Sequence, residues 1–202
     1  MRWFKVLLLV LALGFTSCES LKPTPLLIGD LVEKNNEVIT LYAACSEGAN
    51  YIIEKEGCDS ELLEQKAKQT MDFSKVFISS DIKQPQGYDV YLETVMIYFR
   101  IARRTENEYS EAELIARQFF EVQKAYSGKS INAARYHWAV TAAAHASWQW
   151  QYDELALDAD RKTELLACLS EGRRSQYSLD GPRVIRLVQA LEVLQAIIDT
   201  IE

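Results

Sequence analysis

The chain has 202 residues, with 22 Lys and Arg against 29 Asp and Glu, a formal net charge of −7. That excess of negative charge repels phosphate backbones and draws little on anionic lipid head groups, so nucleic acid is excluded as an expected partner. The length suits one domain.

The amino terminus opens with two basic residues, Arg2 and Lys5, and then runs apolar from Val6 to Phe15 apart from Gly14. A charged start followed by a short apolar core is the layout of a secretory signal. A bilayer-spanning helix needs about 20 apolar residues, and this run gives way at once to Thr16, Ser17, Cys18, Glu19 and Ser20. The stretch Gly14-Phe15-Thr16-Ser17-Cys18 resembles the lipobox of bacterial lipoproteins, in which small residues precede an obligatory cysteine; Phe15 stands where an aliphatic residue is usual. The resemblance implies a diacylglyceryl thioether on Cys18, cleavage before it, and acylation of the new amino terminus. It divides the chain into a cleaved signal peptide (1–17), a lipidated cysteine with an extended tether (18–29), and one helical domain (30–202). Glu19 rather than Asp after the cysteine favours the outer membrane in the enterobacterial sorting pattern, with the inner or plasma membrane as the destination if sorting differs. Acyl chains bury roughly 0.8 kcal/mol per methylene, so the membrane is met through the anchor. Without residues 1–17 the charge falls to −9. Pro23 and Pro25 favour an extended tether, which reaches at most about 35 Å.

Taken in order, Leu31, Val38, Tyr42, Cys45, Ala49 and Ile52 recur at helical spacing, and Gly57 offers a stop. A second helix is predicted from Ser60 to about Phe77. The run Ser79 to Gly87, with Pro85, reads as a loop and as the best lobe boundary. The third helix, near Tyr88 to Arg104, is apolar on most sides and therefore central. Ser110 with Glu113 forms a plausible capping box for a fourth helix ending near Gly128. The fifth runs from Ile131 to about Tyr152 and the sixth from about Leu155 to Ser170. Asp180-Gly181-Pro182 launches the seventh, since proline suits a first helical turn. No strand pattern competes. The fold class is all-α: antiparallel helical hairpins forming an irregular bundle or a short TPR-like α-solenoid of about seven helices.

Beyond Cys18 there are three cysteines, so at least one of Cys45, Cys58 and Cys168 stays unpaired within the monomer. Continuous helix from Cys45 would place it about 20 Å from Cys58, against the roughly 4.4–6.8 Å that a bridge spans. A 45–58 bond therefore needs a break, for which Gly48 is the obvious place. Free or singly bridged structural cysteines are expected, and no metal, because no cysteine lies within four residues of another or of a histidine. The acidic run Asp153, Glu154, Asp158 and Asp160 lacks the glycine and spacing of a calcium loop and reads as a solvated turn.

The fifth helix combines seven alanines between 133 and 146 with His137, His145, Trp148, Trp150 and Tyr152. At 100° per residue Trp148 and Tyr152 lie about 40° apart and Trp150 points away from both. The helix is then either buried on two sides, which we expect, or leaves a contact patch exposed. His137 and His145, about 12 Å apart along a helix, cannot share a metal, and each is expected to be a satisfied structural histidine. No motif for a catalytic nucleophile, phosphate loop or zinc site appears, so neither an enzyme nor a cofactor is expected.

Ala134-Arg135-Tyr136-His137-Trp138-Ala139, with Leu165-Leu166-Ala167, resembles the helical hairpins of TPR-like periplasmic lipoproteins, including the T component associated with TRAP transporters. Ala49-Asn50-Tyr51-Ile52-Ile53 leading to Cys58-Asp59-Ser60 is similar to small helical pilotins, which escort secretins. These resemblances imply a non-enzymatic scaffold or chaperone-like lipoprotein that binds an envelope protein at the periplasmic face of the outer membrane. Trp148, Trp150 and Tyr152 are the candidate contacts. The alternative is a small-ligand or enzymatic pocket near His137 or His145, which requires a concave site where a histidine meets carboxylates.

Overall fold

The computed structural model describes residues 25–47, 50–51, 55–79, 84–102, 104–126, 130–175 and 179–201. Among them run seven α-helices: α1 (Pro25–Ala44), α2 (Ser60–Ser79), α3 (Pro85–Ile101), α4 (Glu106–Tyr126), α5 (Ile131–Tyr152), α6 (Ala159–Ser175) and α7 (Gly181–Ile198). One 3-10 turn, Glu154–Ala156, and a two-residue antiparallel pair, β1 (Ser46–Glu47) with β2 (Asn50–Tyr51), complete the described elements. The chain is all-α, as its periodicity predicts. No described helix is long and apolar enough to cross a membrane. The expected signal peptide, Cys18 and residues 19–24 of the expected tether lie outside the described residues, as do residues 80–83 of the expected boundary loop.

Helix starts differ from the sequence reading where proline and threonine act as caps. Pro25 and Pro85, read as tether and loop residues, instead stand at the first positions of α1 and α3, where the missing N–H costs nothing and φ is already helical. The expected capping box at Ser110 is displaced by one turn. Thr105 donates its backbone N–H and its hydroxyl to Glu108 Oε2, at 2.8 and 3.1 Å, so α4 starts at Glu106 and Ser110 lies inside it. Asp158 accepts from the Arg161 N–H at 2.8 Å and delays α6 to Ala159. Asp180 accepts from the Arg183 N–H at 3.1 Å and opens α7 as predicted.

The first helix is shorter than its periodicity suggests, and this corrects the cysteine reading. α1 ends at Ala44, the chain reverses through β1 and β2, and Gly57, at φ 82°, takes the left-handed turn that brings Cys58 back. Cys45 and Cys58 are disulfide-bonded with their Cα atoms 4.5 Å apart. Gly48, the expected break, falls between β1 and β2 and outside the described residues. Cys168 is free and buried.

Packing centres on α5, which meets α3, α4, α6 and α7, while α1 rests on α2 and α3. The helix pairs in substantial contact lie one or two apart in the chain, so α5 meets α3 and α7 as members of the adjacent hairpins, and the packed helix pairs form one compact bundle. The main core joins Tyr88, Leu92, Phe119, Phe120, Trp138, Leu165, Leu187 and Leu194. Under α1 lie smaller clusters, one of Val38, Cys45, Leu63 and Ala67 with Ile97 and Tyr98 of α3, the other of Leu31, Phe77 and Val90.

Candidate functional site

Five alanines of α5, at 134, 139, 142, 143 and 146, are buried and let neighbouring helices approach closely. A Cβ on Gly172 of α6 would stand 2.8 Å from Leu191 Cδ2 and 3.2 Å from Ala139 Cβ, so α6 and α7 close on the alanine face at van der Waals contact. Small residues thus bring the surrounding helices near enough for their long charged side chains to meet the two histidines.

His137 has no solvent exposure, and its Nε2 donates to Asp89 Oδ1 at 2.7 Å. Arg183 from α7 donates to both Asp89 oxygens at 3.1 Å and through Nε to Glu93 at 2.9 Å. Arg186 donates to Glu93 at 2.9 Å and to the Tyr136 hydroxyl at 3.2 Å. Burial disfavours the Asp89 carboxylate, but the His137 hydrogen bond and the Arg183 charge outweigh it and hold the carboxyl well below the usual range.

Two turns along α5, His145 Nδ1 donates to Glu113 Oε2 at 2.7 Å. Arg161 of α6 grips the same carboxylate with Nη1 at 2.8 Å and Nη2 at 2.6 Å, and donates through Nε to Gln149 at 3.0 Å. Burial again opposes ionisation of Glu113, yet His145 and Arg161 bring its carboxyl down to about 2. The expectation of satisfied histidines holds on one ring nitrogen of each. His137 Nδ1 and His145 Nε2 are buried without a hydrogen-bond partner, and the latter faces Glu106 Oε1 at 3.5 Å across a shallow groove. Both oxygens of Asp89, Glu93 and Glu113 already accept hydrogen bonds, and the lowered carboxyls of Asp89 and Glu113 are weak bases held as anions. Such an arrangement locks helices together. Among the described residues no group of three or more His, Cys, Asp or Glu side chains is placed to hold a metal ion.

The predicted contact residues sit beyond the second network, at the C-terminal end of α5. Both expected alternatives occur on this one helix: the segment from Ala134 to Ala146 is largely buried, and the end is open. Trp150 is 58% exposed and lines a groove with Val193, Ala196, Ile197 and Thr200 of the α7 end. Tyr152 is 65% exposed, lies with its ring centroid 5.3 Å from that of the partly buried Trp148 at a tilt of 42°, and with it lines a different groove beside Arg104 and Tyr109. The structure brings Trp148 and Tyr152 together and sends Trp150 the other way, as their spacing requires.

Sequence reasoning missed two residues here. Leu155, on the 3-10 turn, is 93% exposed; it was read as the start of a helix, and its acidic flanks, Asp153 and Glu154, were the sign of a surface turn. Arg104 was read as the end of the third helix. Its side chain is only 7% exposed, its Cζ lies 3.2 Å over the Tyr98 ring, and Nη1 pairs with Glu108 at 3.5 Å. Its Nε and Nη2 are buried without any partner. Each buried donor left unmade costs about 1–3 kcal/mol, more than a stack on one ring returns.

Comparison with known proteins finds no matching family model, no matching curated protein and no matching solved structure.

Proposed function

We propose that the chain is a lipid-anchored, non-enzymatic protein-binding module at the periplasmic face of the outer membrane, engaging its partner through the aromatic end of α5. The observation that carries the reading is the exposure of Trp150, Tyr152 and Leu155 at one end of a helix that is largely buried from Ala134 to Ala146. Large apolar side chains set on a rigid helix end suit protein recognition, because they bring contact area without loop ordering. Arg2, Lys5, the apolar run Val6 to Phe15 and the Thr16-Ser17-Cys18 sequence support the anchor. With α1 starting at Pro25, the seven residues from Cys18 reach at most about 25 Å, which would keep the start of α1 near the bilayer.

Two measurements test the reading. Cys18→Ala is expected to remove the lipid mass from the protein and move it out of the membrane fraction; unchanged fractionation would remove the anchor. A photocrosslinking residue at position 150 or 155 is expected to capture the same envelope protein, and one at Glu61, exposed on α2, is not. Equal capture from all three positions, or capture from none, refutes the partner surface.

A second reading, a small-ligand or enzymatic site at His145, draws support from its Nε2, which makes no hydrogen bond and faces Glu106 at 3.5 Å beside a groove that also holds Glu113 and Arg161. The two readings separate on one pair of variants. Partner capture that survives His145→Gln and is lost with Trp150→Ala favours the module, and the reverse favours the pocket.

A further inference from the structure

At the corner where α3, α4 and α5 meet lies a groove of about 540 Å³, lined by Arg104 and by Tyr109, Trp148 and Tyr152, with Ala102 and Ala144 among its walls. Three features make it unlike the other grooves. Its one guanidinium is more than nine-tenths buried. The two nitrogens without partners, Nε and Nη2, are neighbours on one edge of that guanidinium, closed to solvent in this structure, and that edge carries two parallel N–H groups at the spacing of a carboxylate's oxygens. Three aromatic rings stand around it.

The guanidinium is already oriented. Tyr98 holds it face-on from one side, and Glu108 holds the far nitrogen, Nη1. Orienting an arginine in advance removes much of the entropy cost of using it. The net charge of the chain is negative, so the surface at large discourages anions. An anion admitted here is therefore selected by a local fork.

We propose that this groove binds an organic carboxylate carried on a flat apolar body, the carboxylate taken side-on by Nε and Nη2 of Arg104 and the body lying against Tyr109, Trp148 and Tyr152. Tyr152, the most exposed of the three rings, swings aside to admit the ligand and closes over it. A bare phosphate forgoes the contact with the three rings, and an apolar molecule without the carboxylate leaves the two N–H groups unmade. Two sources offer this chemistry: a free aromatic acid, and the C-terminal residue of a polypeptide ending in an aromatic side chain. The inference does not depend on the partner surface at Trp150, since it is read on the chain by itself with small probes.

The test is calorimetric titration of the purified full chain, with tryptophan fluorescence followed in parallel because Trp148 lines the groove. The probes are phenylacetate, N-acetylphenylalanine and N-acetylphenylalanine amide. Saturable binding of at least one acid is expected, with the amide at least roughly tenfold weaker than its acid, the least that two charge-assisted hydrogen bonds imply. Tighter binding of N-acetylphenylalanine than of phenylacetate identifies a polypeptide C-terminus as the source, and the opposite order a free acid. Arg104→Lys keeps the charge but loses the fork, and is expected to weaken the better acid at least tenfold. Tyr152→Ala, at an exposed position, is expected to weaken it severalfold and leaves the fold intact. Equal affinity for acid and amide overturns the proposal, as does the absence of saturable binding by either acid at millimolar concentration. The acid and amide comparison uses the unaltered chain, so it decides the matter even if Arg104→Lys fails to fold.

Discussion

Glu113→Gln probes the buried network that joins α4, α5 and α6. The Glu113 carboxylate accepts from Arg161 at 2.8 and 2.6 Å and from His145 at 2.7 Å. Glutamine keeps the volume but points an amide N–H₂ at groups that are themselves donors, and leaves the Arg161 side chain, 10% exposed, without its main counter-charge. Removing one member of a buried ion pair costs about 3–5 kcal/mol. Arg161 keeps Gln149 at 3.0 Å and Glu164 at 3.3 Å, so the lower end, about 3 kcal/mol, is expected. The acid side leads to the same size. Burial opposes ionisation of Glu113, but His145 and Arg161 bring its carboxyl from 4.5 to about 2, worth roughly 3 kcal/mol. A carboxyl whose pKa falls on folding contributes in full above its unfolded value and loses that contribution as the pH drops, here between 4.5 and about 2. Urea unfolding followed by far-ultraviolet circular dichroism is the assay. The gap between parent and variant is expected near 3 kcal/mol at about pH 7 and is expected to close toward about pH 2. A variant within about 0.5 kcal/mol of the parent at neutral pH, or a gap that stays constant into acid, refutes the account.

Gly87→Ala pits helix propensity against packing: alanine gains about 1 kcal/mol in a helix, but its Cβ would stand 2.3 Å from Phe77 Cβ, an atom fixed to the α2 backbone. Net destabilisation of about 1–3 kcal/mol by urea unfolding is expected, and a stabilised variant would mean that α2 and α3 are not this close. Reducing the Cys45–Cys58 bridge, whose cysteines lie 13 residues apart, is expected to lower stability by about 3 kcal/mol; an unchanged thermal midpoint in reductant counts against the bridge. Burial pushes the Cys168 thiol well above its ordinary range, so it is expected to resist a thiol reagent in the native protein. In denaturant without reductant one thiol is expected to react if Cys18 carries its lipid and two if it does not, and a count of two removes the lipidation.

The seven helices were legible because apolar spacing survives in each of them, and α7 was legible to the residue because Asp180-Gly181-Pro182 is a local signal. The misplaced ends have local causes as well. Thr105-Glu106-Asn107-Glu108 is as good a capping box as Ser110 with Glu113, and the competition between them was settled by Glu113 being needed elsewhere, for Arg161 and His145. The Cys45–Cys58 bridge was hidden by a helical period that runs past Ala44 into residues that instead pair as β1 and β2. The ion networks were not legible at all, since Arg183 and Asp89 are 94 residues apart and Arg161 and Glu113 are 48 apart. Trp148, Trp150 and Tyr152 stood out because aromatics that diverge around one helix cannot share one core face. Arg104 carried no such mark, because a buried unpaired edge is a property of its surroundings.

The two networks bear on the proposed surface through the helix they share. One ties α5 to α3 and α7 at His137, the other to α4 and α6 at His145, about 12 Å farther along. Sliding α5 by one residue would move each histidine about 1.5 Å and turn it about 100°, which breaks both sets of hydrogen bonds at once. The helix is therefore fixed in rotation and in register, and its aromatic end is fixed with it. A partner meeting Trp150 on one side and Tyr152 on the other meets a preorganised feature, so little affinity is lost to ordering. If the proposed partner surface is real, weakening a network far from it, as Glu113→Gln does, is expected to reduce crosslinked capture from position 150 by loosening the register of α5, even though Glu113 lies outside that surface.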